Sequence, residues 1–106
     1  MASSKEYLDY ILDQLSLLDG ITVRAMMGEY ILYYNGKIFG GIYDDRFLVK
    51  DTPAVSRLMP EAPYELPYEG AKEMRLVTET DDRIFLKELI EQMAEELPAP
   101  KKRKRK

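Results

Sequence analysis

The sequence predicts an α+β domain, an antiparallel sheet packed by amphipathic helices. Three observations carry that prediction. Alternating apolar residues between Arg24 and Lys50 are divided by Asn35-Gly36 and again by Asp44-Asp45. Leu8, Ile11, Leu12, Leu15 and Leu18 recur at helical spacing, and Phe85, Leu86, Leu89, Ile90, Met93 and Leu97 do the same. Period two gives a sheet folded back on itself, and the longer period gives two helices to cover it.

The elements follow in order. Ser3 is placed to cap the first helix, with Glu6 three residues on to close a capping box. Asp19-Gly20 stops that helix, because glycine accepts the left-handed conformation of a helix end. Ile21, Val23, Ala25 and Met27 alternate with Thr22, Arg24 and Met26, as in a half-buried strand that Gly28 breaks or bulges. Glu29 to Tyr34 forms the next strand, with Tyr30, Leu32 and Tyr34 on one face and Ile31 and Tyr33 on the other. Asn35-Gly36 predicts a type I′ hairpin. Lys37 to Tyr43 returns, and Gly40-Gly41 within it implies a kink or a close backbone approach. Asp44-Asp45 turns into Arg46 to Lys50. Asp51 or Thr52 caps a short helix with Pro53 at its first position. Residues 60–71, with Pro60, Pro63 and Pro67, read as an irregular loop. Lys72 to Thr78 reads as a last strand, with Met74 and Leu76 on one face. Thr80, followed by Asp81 and Asp82, starts the final helix.

Charge divides the chain unevenly. The total is −3, but residues 101–106 are all Lys or Arg. Residues 1–100 therefore hold 10 basic and 19 acidic side chains, a balance of −9. The expected organisation is a domain over residues 1–98 and a basic tail over 99–106, disordered because a like-charged block repels itself. The acidic body repels phosphate chains, so nucleic-acid contact would start at Lys101, Lys102, Arg103, Lys104, Arg105 and Lys106.

Several chemistries are excluded or unsupported. The chain has no cysteine and no histidine. Disulfides, thiolate zinc sites and histidine-dependent triads are out, and the usual near-neutral acid/base is missing. Asp44-Asp45 and Asp81-Asp82 are explained by a turn and a helix start, and adjacent strand residues point to opposite faces. Gly36-Lys37 lacks the rest of a phosphate loop, and Gly36, Gly40 and Gly41 do not make a dinucleotide fingerprint. The strand Lys37–Tyr43 lacks the aromatic pattern of an RNA-recognition motif. No catalytic residue, cofactor or metal is expected. No apolar run reaches the length of a membrane span, so the expected location is the cytoplasm. Tyr30, Tyr33, Tyr34 and Tyr43 are expected to straddle the sheet with rings packed. Exposed together with Met26 and Ile42, they would instead make a homodimer contact.

The block from Arg24 to Lys50 resembles the N-terminal domain of the TfoX/Sxy competence-regulator family. The matching residues are Arg24, Met26, Gly28-Glu29-Tyr30, Leu32-Tyr33, Asn35-Gly36-Lys37, Phe39-Gly40 and Asp44-Asp45 leading to Leu48-Val49-Lys50. Tyr68, Gly70-Ala71-Lys72 and Met74 fit the family's second block. The resemblance covers roughly residues 3–97. It implies a secretion-chaperone-like fold ordered α-β-β-β-α-β-β-α and a bacterial regulatory role near transcription of DNA-uptake genes, with no catalytic residues. Met27 stands where the family often has phenylalanine, and Arg75-Leu76-Val77-Thr78 replaces a more aromatic segment. The chain also stops before the helical second domain of full-length competence regulators.

Three functions are thus expected in order. The first is a non-enzymatic regulator acting by protein contacts, with Arg24, Glu29, Lys37 and Lys50 as the partner surface and transcription machinery as a candidate partner. The second is a nonspecific nucleic-acid binder using the tail. The third is a small chaperone-like homodimer that holds a peptide.

Overall fold

A computed structural model describes residues 3–97, which form three helices and one six-stranded sheet. The order is α1 (Lys5–Gln14), β1 (Ile21–Met26), β2 (Glu29–Tyr34), β3 (Lys37–Ile42), β4 (Phe47–Val49), α2 (Pro53–Leu58), β5 (Tyr64–Glu65), β6 (Met74–Leu76) and α3 (Arg83–Glu96). This is the expected α+β class, with one strand more before α2 than the family order implies. The sheet order is β1-β2-β3-β4-β6-β5, and every neighbouring pair is antiparallel.

Three two-residue turns make the first four strands one meander. Met27-Gly28, Asn35-Gly36 and Asp44-Asp45 each place both residues at positive φ, between 51° and 85°. That is the backbone of a type I′ hairpin, whose twist matches the flanking strands. Gly28 is therefore half of a turn and not a bulge. Met27 sits at its apex with 96% of its surface exposed.

The bulge lies elsewhere. Leu32 pairs with Gly40, but Tyr33 pairs with Ile38, so Phe39 is the extra residue. This lets Phe39 and Ile42 both enter the core, where Phe39 meets Phe47 edge to face at 6.5 Å. Gly40 permits it. A Cβ there would lie 2.2 Å from the Leu48 carbonyl oxygen and 2.9 Å from the Val49 Cα, so the strands approach closely, as the glycine pair implied.

The core lies on one face of the sheet. Leu8, Ile11 and Leu15 from α1, Ala54 and Val55 from α2, and Leu86, Leu89, Ile90 and Met93 from α3 pack on Leu32, Phe39, Ile42, Phe47 and Val49. Tyr30 and Tyr34 pack against the same cluster, as the alternation in β2 predicts. The layer stops short of β1, whose residues after Ile21 are all exposed. The half-buried reading of that strand is corrected: β1 is a sheet edge beyond the helices' reach.

Caps differ in detail from expectation. Ser4, not Ser3, caps α1 by accepting from the Tyr7 amide. The Ser3 hydroxyl instead donates to Glu29 Oε1 at 2.6 Å and accepts from the Asp45 amide at 3.0 Å. Asp45 Oδ1 in turn accepts from the Ser4 amide. One small polar network thus ties the start of α1 to two hairpin ends. Thr52 caps α2, and Asp82, not Thr80, caps α3.

β6 alternates as expected, with Met74 and Leu76 on one face and Arg75 on the other. Arg75 and Val77 are buried, while Met74 and Leu76 are only half-buried. Arg75 is 3% exposed, yet its guanidinium is satisfied on every side. It donates to the carbonyls of Met59, Pro60 and Ala62, to Asp51 Oδ1, and to the hydroxyls of Ser56 and Tyr64. It also lies 4.3 Å from the centre of the Tyr64 ring.

Arg75→Lys would keep the charge but leave several carbonyls without a donor, because an ammonium has fewer donors and no planar fork. The expected loss is about 2–3 kcal/mol, read as a lower urea midpoint with an unchanged slope.

Candidate functional site

Strand alternation sorts the polar residues into two groups. Side chains two apart on a strand share a face, and directly paired residues share it too. Tyr30, Leu32 and Tyr34 face the helices, so Ile31 and Tyr33 face away, and Arg24, paired with Ile31, faces away with them. Ile38, paired with Tyr33, and Leu48, paired with Gly41, belong to the same helix-free face. Lys50, two residues after Leu48, follows.

This face is partly roofed by the segment after β5. Pro67 is buried, and the Tyr68 ring packs at 6.1 Å on the Tyr43 ring. Tyr43 lies over Gly41, where a Cβ would come within 2.8 Å of the ring. Between roof and sheet runs an open groove of about 620 Å³, with Ile38, Tyr43, Lys50, Tyr68, Lys72 and Met74 on its walls. Burial pushes the Tyr43 hydroxyl pKa up, helped by the neighbouring Tyr68 and by the Glu29 charge.

The distribution of cations marks this face out. Among the described residues, seven basic side chains are engaged within the chain. Lys5, Arg46, Arg57, Arg75, Arg83 and Lys87 pair with carboxylates, and Lys37 donates to the Ala94 carbonyl at 2.5 Å near the end of α3. Arg24, Lys50 and Lys72 have no such partner. Arg24 and Lys50 point from the helix-free face, and Lys50 and Lys72 line its groove.

The residues singled out from sequence therefore part company. Arg24 and Lys50 share one face. Lys37 lies on the helix side, bound to Ala94. Glu29 is tied into the Ser3 network and accepts from the Asp44 amide. Lys101 to Lys106 lie outside the described residues. The homodimer patch does not assemble, since Ile42 is fully buried and Tyr30 and Tyr34 face the core. Adjacent residues of β2 point to opposite faces, which splits the four tyrosines in two. Lys72 and Tyr68 join the face without having been singled out for it. The sequence marked both only as family-like positions, and no local pattern shows that their loop folds back over β3 and β4.

No group of three or more carboxylates among the described residues is arranged to hold a metal ion, and no helix there is long and apolar enough to cross a membrane. Against known proteins, residues 13–97 match the TfoX N-terminal domain. The chain belongs to the TfoX N-terminal domain family. A curated relative, an uncharacterized 12.7 kDa protein in the trpE 5′ region of Spirochaeta aurantia, is 33% identical over 107 residues, spanning all of this chain and 93% of its own. No solved structure matches the chain. Membership in the TfoX family places the domain in a competence- or regulation-related group.

The buried Tyr43 phenol gives a pH prediction. Its folded pKa lies above the usual 10.0, so the unfolded chain loses this proton first. The contribution to stability is complete below about pH 10 and is lost as pH rises through the higher folded value. Burial also raises the Tyr7 phenol, so alkaline titration of tyrosinate absorbance should show two late-titrating groups, one of which Tyr43→Phe removes. Loss of an ordinary group instead would contradict the burial.

Proposed function

We propose that this protein is a non-enzymatic regulator that acts in the cytoplasm by holding a protein partner on the helix-free face of its sheet. The single observation that carries the reading is that Arg24, Lys50 and Lys72 lie there without a partner, while six of the other cations of residues 3–97 pair with carboxylates and the seventh, Lys37, donates to the Ala94 carbonyl. An acidic domain that keeps three cations beside exposed Ile38 and Tyr68 presents a surface complementary to an anionic, partly apolar partner. The TfoX family match supports a setting near transcription or competence. The absence of histidine and cysteine makes a binding role simpler than a catalytic one.

The test is crosslinking and capture in cells that express the full chain, against a variant carrying Arg24→Glu, Lys50→Glu and Lys72→Glu. All three side chains are at least partly exposed, so the variant should keep the wild-type circular dichroism. The expected result is a specific partner retained by the wild type and lost by the folded variant. An identical set of captured proteins would sink the reading.

The composition of Lys101 to Lys106 supports a second, additive role as a nonspecific polyanion tether. If all six cations met phosphates, binding to duplex DNA would fall with salt at a slope of about −5. Fluorescence anisotropy should show that slope for the full chain and no binding for residues 1–100. Equal binding by both would place the contact in the folded body.

A further inference from the structure

We infer that the groove between the roof segment and strands β3, β4 and β6 is a docking site for an extended peptide segment of a partner. That segment would carry one acidic side chain flanked by apolar ones. The inference rests on the protein-contact reading above and adds to it the place and the chemistry of the ligand.

The groove's two cations set the charge. Lys50 and Lys72 both line it and neither has a carboxylate partner among the described residues. The carboxylate of Asp51, at the same groove, is already taken by Arg75 at 3.1 Å. Glu73 is the other acid on the wall, and it is exposed. Two lysines with one free acid beside them accept a single carboxylate and oppose a run of negative charge. That asymmetry disfavours a nucleic-acid strand, whose phosphates recur at every nucleotide, and so does the −9 balance of residues 1–100.

The walls set the rest. Ile38, Tyr68 and Met74 offer apolar surface in the same groove as the lysines, with Tyr68 59% exposed and Ile38 38%. The volume falls in the range of sites that bury a drug-sized ligand, which suits a short stretch of peptide and not a folded domain. An extended chain presents alternate side chains to opposite sides, so an acid turned towards the lysines would turn both its neighbours to the opposite side of the groove. The roof itself is built to stay. Pro67 accepts at its carbonyl from Arg46, which is paired with Glu65 at 2.6 Å, and the Ala71 amide closes a turn on the Tyr68 carbonyl. A preformed groove spares the ordering cost that weakens peptide binding.

The experiment selects a displayed library of short random peptides on the full chain, and in parallel on a Lys50→Glu, Lys72→Glu variant. Capture of the cellular partner is then compared between that variant and Arg24→Glu alone. The expected outcome is enrichment of peptides with an Asp or Glu between apolar residues. Their binding should be roughly tenfold weaker when the acid becomes its amide or when either lysine is reversed. The groove variant should also lose the cellular partner. Enriched peptides without an acid, no enrichment, or binding indifferent to both lysines would each overturn the inference. If Arg24→Glu abolishes partner capture while the groove variant retains it, the groove is wrong but the face is right. If neither variant changes capture, the protein-contact reading fails as well.

Discussion

One buried guanidinium organises the half of the molecule that carries the groove. Arg75 sits in β6, the strand that joins β4 to the short edge strand β5. Burying a cation is costly unless its donors are all met. Here they are met by the carbonyls of Met59, Pro60 and Ala62 just after α2, by Ser56 within it, and by Asp51 and Tyr64. Those contacts fix where the chain leaves α2 and where it re-enters the sheet. The roof segment starts from that fixed point, held on its other side by the pairing of Arg46 with Glu65. The groove is thus bounded by a loop that these polar contacts anchor at its ends and that the packing of Pro67 and Tyr68 holds over the sheet.

The other half of the sheet depends on backbone conformation. Three successive hairpins demand left-handed residues at six positions, and only two of those are glycine. Asn35 tolerates the conformation well, and Asp44 and Asp45 do so with help from Glu29 and Ser3, which bind their amides. Met27 has no comparable compensation, and its side chain points into solvent. The meander nevertheless forms because each turn closes a ladder of regular antiparallel pairs. The local strain is small beside the burial of Leu32, Phe39, Ile42 and Phe47 that the register secures.

Much of this was legible in sequence where the cause is local. Asn35-Gly36 gave its hairpin and Thr52-Pro53 its helix start. The two leucine-rich periodicities gave the faces that pack. What was not legible depends on residues far apart in the chain. Ser3 looks like a cap until Glu29 and Asp45 are brought beside it, and its neighbour then takes the capping role. Nothing local marks Arg75 as buried, and only the folded loop supplies the acceptors that hold it inside. The edge position of β1 is likewise a property of the sheet order and not of the residues between Ile21 and Met26.

The candidate site was the least legible part, because it is defined by which charges are left over. Arg83 and Asp13 are 70 residues apart and pair, as do Arg57 and Glu96 at a separation of 39. Nothing in the linear order distinguishes these cations from Arg24 or Lys72. Exposed pairs of this kind add little to stability. Their consequence is to neutralise six cations, which leaves Arg24, Lys50 and Lys72 unpaired on the helix-free face and Lys37 held by a carbonyl on the helix side. A mixed surface would offer any anion many weak contacts. Cations left unpaired on one face of an acidic body would give an approaching anion orientation as well as attraction.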